Sequence, residues 1–530
     1  MITKTFDSIN SIYLQMLGRE YINRKYSNAF LGILVLLVLA IRIYSLRTPL
    51  PDRTAWKEID YITISQNYTG NGFDFFKPTI SWPAEPPRVT AMEFPAVPYL
   101  NSIMYALFGF NTITIRLTTL VAFLLIILVT FKLAEREIGQ IPALFAAAMA
   151  AFIPLTNMFG NMLNTYQFAI LTGLASILYM SKWVSDNMAI HMIISCCLFS
   201  LTLLMMPTEL VLALPLGWLV IRKYGVKVKA LKTGMIYGAA ALIMPLLWYG
   251  YVYFLTKHSI DVFGVFKGHD KYQTVTMLTS KEWYALMARR FLSLLSGFPG
   301  LLITFAGFIV ILLARRGWLF LFYGIAFAAF VVIVAEGNLD APYRQFCGIP
   351  ALSAFFGIGL TYLLAAIIHM TGFGANRVYN PLKPVSFCFV LVLSYFTLVN
   401  RSFIFGRSEL TPIIPRDWAL SEAIKKHVDP GAKIITAGTY TIHKGGNDLS
   451  PVLYYYSKTQ GWTLNKEQLS LDSLKMFVDK GALLFAAENI SREKELGEFV
   501  GLVKNKYALV YQDDSLGVFL FDLRQPFSRE

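Results

Sequence analysis

The chain has 530 residues, 55% of them hydrophobic and 15% charged, with a mean hydropathy of +0.52. Soluble domains carry nearer a quarter charged residues, so an ordinary soluble enzyme is excluded. Collagen, coiled coil and disordered tail fall too, because 15% aromatic residues and repeated apolar runs demand burial. The net charge of +14 reads as Lys and Arg held in cytoplasmic loops; no basic stripe interleaves with aromatics, and no nucleic acid is expected.

A spanning helix needs about 20 mostly apolar residues, and the chain supplies such runs repeatedly. Residues 1–28 form a short, mixed, modestly basic lead. The first run, 29–46, is interrupted near its end by Arg42 and no small-x-small cleavage site follows, so it reads as an uncleaved first span. Ten further spans are predicted at 113–131, 141–158, 162–181, 188–205, 207–221, 233–255, 293–313, 317–335, 345–368 and 384–400. Residues 94–110 are too short to span and predict a helix lying along the interface. Four cysteines (Cys196, Cys197, Cys347, Cys388) lie in or beside apolar runs and read as small core residues.

Charge orients this threading. With the N-terminus in the cytoplasm, one set of loops falls inside, and three of its members, carrying Arg222, Lys223, Lys227, Lys229 and Lys232, then Arg315 and Arg316, then Arg377 and Lys383, hold no Asp or Glu. The opposite set carries Glu209, Glu336 and Asp340. Three segments then lie outside and are too long to be mere connectors: 47–93, 256–292 and 401–530. The last contains strand-like runs at 433–437, 482–486 and 517–521, alternating with amphipathic stretches at 417–428, 471–480 and 491–505. That alternation predicts a small extracytoplasmic α/β domain. The expected organisation is a cytoplasmic segment 1–28, a transmembrane domain 29–400 with long outer loops 47–112 and 256–292, and the α/β domain 401–530.

The first long loop is acidic and aromatic: Trp56, Lys57, Glu58, Asp60, Tyr61. A carboxylate shielded by Trp56 and Tyr61 could serve as a general base for a hydroxyl; the plain alternative is an ordinary solvated loop. Glu58 and Asp60 point apart on a helix and share a face in an extended segment. Glu93 either favours the dipole of the following helix or shapes an acceptor or metal site with the early carboxylates. A divalent metal ion near Glu93 is compatible with this loop, but no ligand cluster demands one. On the same side lie Lys267, His269, Asp270 and Lys271, then Arg289-Arg290, and Tyr343-Arg344. Cations there suit a leaving lipid-linked phosphate; snorkelling to headgroups is the plain reading of Arg289-Arg290 and competes for Arg344. The polar cluster Asn157, Asn161, Asn164, Thr165 and Gln167 either faces a cavity or forms interhelical hydrogen bonds. Transport is the rival class, but the span centres are almost free of charge and no internal repeat is found.

Several stretches together resemble the type-C integral-membrane glycosyltransferases, in the branch of bacterial protein O-mannosyltransferase relatives and the lipid A aminoarabinose transferase. Trp56-Lys57-Glu58-Ile59-Asp60-Tyr61 is similar to the branch's Trp-Arg-Gln-x-Asp-Thr, and Gln66-Asn67-Tyr68 to its Arg-Asn-Phe. Glu93-Phe94-Pro95, Tyr99-Leu100, Phe108-Gly109 and Arg116-Leu117 match its Glu-x-Pro, Tyr-Leu, Phe-Gly and Arg-Leu in order. In the tail, Leu453-Tyr454-Tyr455-Tyr456, Gly461-Trp462 and Gly481-Ala482 resemble its Tyr-Tyr, Gly-Trp and Gly-Ala. Lys57-Glu58 stands where many members carry Asp-Glu, Gln66 replaces an Arg, and Ala341-Pro342-Tyr343-Arg344 replaces a His-x-Tyr-Tyr-like element.

The resemblance implies an inverting glycosyltransferase of a bacterial inner membrane, using a polyprenyl-phosphate sugar donor on the outer face, with the acceptor unknown. Glu58 or Asp60 would be the base. Trp56, Glu93, Lys267, His269, Lys271, Tyr343 and Arg344 would contact substrate. The competing readings are a non-catalytic protein that binds lipid-linked glycan and a lipid-sugar flippase.

Overall fold

The computed structural model describes residues 2–17, 23–46, 55–82, 88–257, 263, 265–266, 274–371, 382–400, 415–438, 451–488 and 494–526. In chain order the helices are α1 (Ile2–Met16), α2 (Arg24–Ser45), α3 (Ala55–Gly70), α4 (Ala96–Phe108), α5 (Thr112–Ile138), α6 (Gln140–Phe152), α7 (Pro154–Phe159), α8 (Thr165–Asp186) and α9 (Ala189–Met205). There follow α10 (Ala213–Tyr224), α11 (Val228–Leu255), α12 (Thr274–Leu278), α13 (Lys281–Arg290), α14 (Gly297–Ala314), α15 (Trp318–Ile333), α16 (Ala335–Asp340), α17 (Ile349–Thr371) and α18 (Leu382–Val399). Helices α19 (Pro415–His427), α20 (Val452–Ser457), α21 (Leu471–Asp479) and α22 (Lys494–Lys504) follow among the described residues. The strands are β1 (Lys433–Ala437), β2 (Gln460–Thr463), β3 (Ala482–Glu488), β4 (Tyr507–Asp513) and β5 (Val518–Pro526).

Every predicted span is helical. Among the described residues, seven helices are long and apolar enough to cross a membrane, and α6, α9 and α15 are shorter apolar helices. The segment predicted at 207–221 is a 3-10 turn, Pro207–Leu212, running into α10. Two compact units result: Met1–Leu46, Arg116–Trp248 and Asp270–Ser408 form the first; Arg47–Ile115, Tyr249–His269 and Glu409–Glu530 form the second.

In the first unit the helices meet through small residues. A Cβ at Gly307 of α14 would strike the Phe355 carbonyl oxygen of α17, and one at Gly359 of α17 would strike the Ile303 carbonyl. Gly357, on the same helix, is pressed equally closely to the Pro142 carbonyl of α6. Lipid is as apolar as leucine, so close backbone approach and dispersion, rather than expulsion of water, hold such helices together. Gly307→Val should therefore separate α14 from α17 and lower the thermal transition in detergent, by about 2–4 kcal/mol of stability as overpacking and lost contact add. Gly234→Val, at a glycine with nothing within 4 Å of its would-be Cβ, should leave the transition unchanged; equal shifts would show that bulk alone is responsible.

The short, mixed lead, for which no element was predicted, contains α1. Tyr13 and Met16 are buried, and Tyr13 meets Tyr362 of α17 edge-on at 5.4 Å. The signal was present in Ile9, Ile12, Tyr13 and Met16 at helical spacing. Glu209, counted among the acids of the short connections, is fully buried in its 3-10 turn, and neither carboxylate oxygen has a hydrogen-bond partner among the described residues. A buried acid without a partner costs folding free energy. Glu209→Met should raise the thermal transition, by about 1–3 kcal/mol; a lowered transition would mean that the carboxylate is held by a partner after all.

In the second unit, β1 pairs parallel with β2 and β3, while β5 pairs antiparallel with β3 and β4, giving the order β2-β1-β3-β5-β4. Alternation along each strand divides the core. Leu484 and Ala486 of β3 pack with Leu420 and Ile424 of α19 and Leu453 of α20; Phe485 and Ala487 pack with Phe477 of α21 and Phe499 of α22. A sheet covered on both faces reads as near-continuous apolar strand sequence, which is why β1, β3 and β5 were legible. β2 escaped because Gln460-Gly461-Trp462-Thr463 has no apolar run. β4 escaped because it follows α22 after only two residues.

Helix α4 is the predicted interfacial helix, and its sidedness is inverted relative to a soluble one. Leu100, Ile103 and Leu107 are exposed, whereas Asn101 and Ser102 are buried. An apolar face left open by its own unit suits lipid.

Candidate active site

The loop between Ala55 and Gly70, whose conformation the residue spacing left open, is helical. It stops at Gly70, and Gly72 turns the chain at φ 74°, where a left-handed conformation carries no side-chain penalty. At about 100° per residue, Lys57 and Tyr61 share one face while Glu58 and Asp60 flank it on opposite sides. The structure fills each direction differently.

Glu93 receives the central face. Lys57 Nζ lies 2.7 Å from Glu93 Oε1 and the Tyr61 hydroxyl donates to Glu93 Oε2 at 3.3 Å. The Lys57 ammonium also sits 5.6 Å from the Tyr61 ring centroid and 5.8 Å from that of Phe263. The residue capping α4 is Pro95, without any side-chain cap. Among the described residues no group of three or more His, Cys, Asp and Glu could hold a metal ion, and Glu93 is already engaged by a cation. The described residues do not fit a divalent metal here.

Asp60, 2% exposed, accepts a hydrogen bond from Trp82 Nε1 at 3.3 Å. Trp82 buries its ring in the sheet-domain core with Leu420, Ile424, Leu453 and Leu520. The surrounding segment is tied to the same domain: Thr79 bridges Val89, Gly461 N donates to Ser81 O at 3.2 Å, and Arg88 Nη1 donates to Gln460 Oε1 at 2.6 Å. Glu58 is fully buried, and its charge acts on two phenols. Burial, reinforced by the Glu58 charge, pushes the Tyr455 hydroxyl up to about 12. Burial, then Tyr455 and Glu58, raises the Tyr105 hydroxyl as well, while a hydrogen bond with Asn101 opposes the rise. Trp56 lies in the first turn of α3. Lys267, His269, Asp270 and Lys271 lie outside the described residues.

The first unit gathers the other cations. Arg344 lies on a 3-10 segment, Pro342–Gly348, half-buried with its guanidinium so close to Gly337 that a Cβ there would collide with it. Tyr343 packs edge-on against Phe159 at 5.8 Å and Tyr166 at 5.1 Å. Arg290, read as snorkelling, instead donates to the carbonyl oxygens of Asn338 and Leu339. It thereby holds the end of α16, at carbonyls four to six residues before Tyr343 and Arg344, because a guanidinium can satisfy several orphan helix carbonyls at once.

The polar cluster at 157–167 forms internal hydrogen bonds. Asn164 Oδ1 caps α8, accepting from Tyr166 N at 2.9 Å and Gln167 N at 3.3 Å. Gln167 Nε2 donates to Phe159 O at 3.1 Å. Two buried arginines hold this loop: Arg42 donates to Asn161 Oδ1 at 2.5 Å and Thr156 O at 2.7 Å, and Arg116 donates to Asn161 O at 3.2 Å. Arg42 was legible as a charge inside an apolar run, itself a mark of a function or a fixed partner. Trp82 and Tyr105 left no such mark, since an aromatic near an apolar stretch is ordinary.

Comparison with known proteins follows this geometry. The model of the dolichyl-phosphate-mannose-protein mannosyltransferase family matches residues 87–249. No curated protein sequence matches the chain. Among solved structures, ArnT from Cupriavidus metallidurans in the apo state is similar with a TM-score of 0.62 at 14% identity, over 94% of this chain and 98% of that one. ArnT bound to undecaprenyl phosphate gives 0.58 at 12% identity, over 93% and 98%. The archaeal oligosaccharyltransferase AglB from Archaeoglobus fulgidus, in complex with an inhibitory peptide and a dolichol-phosphate, gives 0.56 at 12%, over 93% of this chain and 74% of that one. With its apolar helices, long acidic loop and terminal sheet, this chain is a multi-pass membrane protein with the type-C glycosyltransferase fold.

Proposed function

We propose that the protein is an inverting glycosyltransferase that moves a sugar from a polyprenyl-phosphate donor to an acceptor hydroxyl, on the outer face of a bacterial inner membrane with the N-terminus inside. The observation that carries this reading is Asp60, a buried carboxylate oriented by an indole N–H, within a fold whose relatives have been solved with undecaprenyl phosphate and dolichol-phosphate. Asp60 is the base rather than Glu58: it occupies the Asp of the Trp-Arg-Gln-x-Asp-Thr series, and the Trp82 bond stabilises its charged form.

Asp60 takes the proton of the acceptor hydroxyl as that oxygen attacks the anomeric carbon. The bond from that carbon to the phosphate oxygen breaks with its electron pair, and polyprenyl phosphate leaves. Arg344, Lys267 and Lys271 are the charges the sequence offers for the leaving phosphate, and Tyr343, His269 and Trp56 are its candidates for sugar contact. The Lys57–Glu93 pair holds α3 against the loop so that Asp60 keeps its orientation. Positioning and charge stabilisation provide most of the acceleration.

The test uses purified protein in nanodiscs with a panel of labelled polyprenyl-phosphate sugars. Release of polyprenyl phosphate from one donor, dependent on Asp60, supports the reading. No release from any donor and any acceptor extract, with lipid binding retained, would make the chain a lipid-linked glycan-binding protein.

A further inference from the structure

The sheet of the second unit is finished differently at its two edges. At the β2 edge, Gly461 N donates to Ser81 O at 3.2 Å and Arg88 Nη1 donates to Gln460 Oε1 at 2.6 Å, so that side is covered by the loop that carries Trp82. At the other edge β4 is the last strand in the order, and among the described residues no backbone hydrogen bond joins its outer side. An edge in this state is a template for another strand, and proteins commonly blunt it with Lys or Pro inside the strand. Tyr507–Asp513 has neither. Leu509, Val510 and Tyr511 stay half-buried although they pack against the two core layers. A further strand along this edge would complete their burial.

We infer that this edge pairs with β4 of a second copy of the chain, antiparallel about a two-fold axis at Val510. Charge selects that partner. Lys504 and Lys506 precede β4 and Asp514 follows it, so an antiparallel copy sets basic end against acidic end, whereas a parallel copy sets like against like. Asp513 is committed to its own turn, accepting from Ser515 N and Oγ and from Leu516 N; Asp514 is exposed. The register follows from a slip in the ladder. Val510 has no partner on β5, where the pairing shifts between Leu509 and Tyr511. Such a bulge bends its strand, and a two-fold centred on Val510 lets both copies bend at the same point. That register sets Lys506 opposite Asp514 of the second copy, twice over, as isologous pairing requires. Copies in one membrane carry their tails on the same side of it, which raises the effective concentration of the two edges. The inference uses the sheet alone and is independent of the transferase reading.

Sedimentation equilibrium of the full-length protein in detergent, over a range of concentrations, should show a monomer–dimer equilibrium. Lys506→Glu and Asp514→Lys should each weaken the dimer roughly five- to tenfold, because each replaces two ion pairs with two like-charged contacts. The double variant exchanges the charges and should return to within about threefold of the wild type. Both positions lie outside β4, so the thermal transition should be unchanged in all three. Val510→Cys should form an intermolecular disulfide in liposomes under mild oxidation, since directly opposed residues of an antiparallel pair lie about 4.5–5.5 Å apart. The wild type, with its exposed Cys197, sets the background. A monomer at every concentration overturns the inference, as does a dimer indifferent to both single variants. A double variant no stronger than the single ones, or cross-linking no greater than in the wild type, overturns it too. So does protection of β4 from amide exchange that appears only on adding an extended acceptor peptide, which would make the edge a peptide site.

Discussion

Asp60→Asn is expected to lower the rate of polyprenyl-phosphate release by roughly 10²–10⁴-fold, the usual contribution of a positioned general base. The amide is nearly isosteric, and its oxygen can still accept from Trp82 Nε1, which lies 3.3 Å from Asp60 Oδ1. Folding and donor affinity should therefore stay as in the wild type while proton acceptance is lost. Glu58→Gln should behave differently. It removes a charge that acts on the Tyr455 and Tyr105 hydroxyls and should leave kcat within about tenfold of the wild type, because Asp60 rather than Glu58 takes the proton. Steady-state release with both variants, over a range of acceptor concentrations, separates the roles. A full loss in Glu58→Gln with activity surviving in Asp60→Asn would reverse the assignment and leave the Trp82 contact as a structural one.

Glu93→Ala is expected to be the most destabilising single change in the first long loop. Its carboxylate takes Lys57 at 2.7 Å, with the two side chains 20% and 12% exposed, and also takes the Tyr61 hydroxyl. Removing the acid leaves an ammonium in a site built for a pair, which costs about 3–5 kcal/mol where such pairs are buried and somewhat less at this partial exposure. The double change Lys57→Met with Glu93→Met removes both charges and keeps the volume, so most of the stability should return. Activity should not return with it if the pair sets the angle at which Asp60 is presented. Denaturant unfolding in detergent of the two single variants and the double gives the coupling directly, expected at more than about 1.5 kcal/mol. Additive losses would reduce the contact to an ordinary surface pair.

The parts of the protein that were readable from residues alone are those governed by local physics. Long apolar runs have one stable setting, a bilayer, so the eleven predicted spans were legible as helix, and the shorter apolar run after Glu93 was legible as the interfacial helix. The strands β1, β3 and β5 were legible because burial on both faces leaves an unbroken apolar signature. Glu58, Asp60 and Glu93 stood out as candidates because they are carboxylates among aromatic residues in a long loop next to an apolar span.

Tertiary structure alone decided what each of those groups faces. Adopting a helix over Ala55–Gly70 sends Glu58 and Asp60 to opposite sides, and no spacing rule chooses their neighbours. Asp60 finds Trp82, 22 positions on, and Arg88 finds Gln460 across 372. Such partners are brought together by burial of the whole sheet domain, not by periodicity. The same reason made Tyr454 a core residue and left Tyr456 beside Trp418. Composition and periodicity are sums over neighbours along the chain, and they determined that this protein lives in a membrane with an α/β tail. A site is a meeting of side chains distant in sequence, and only packing determines it.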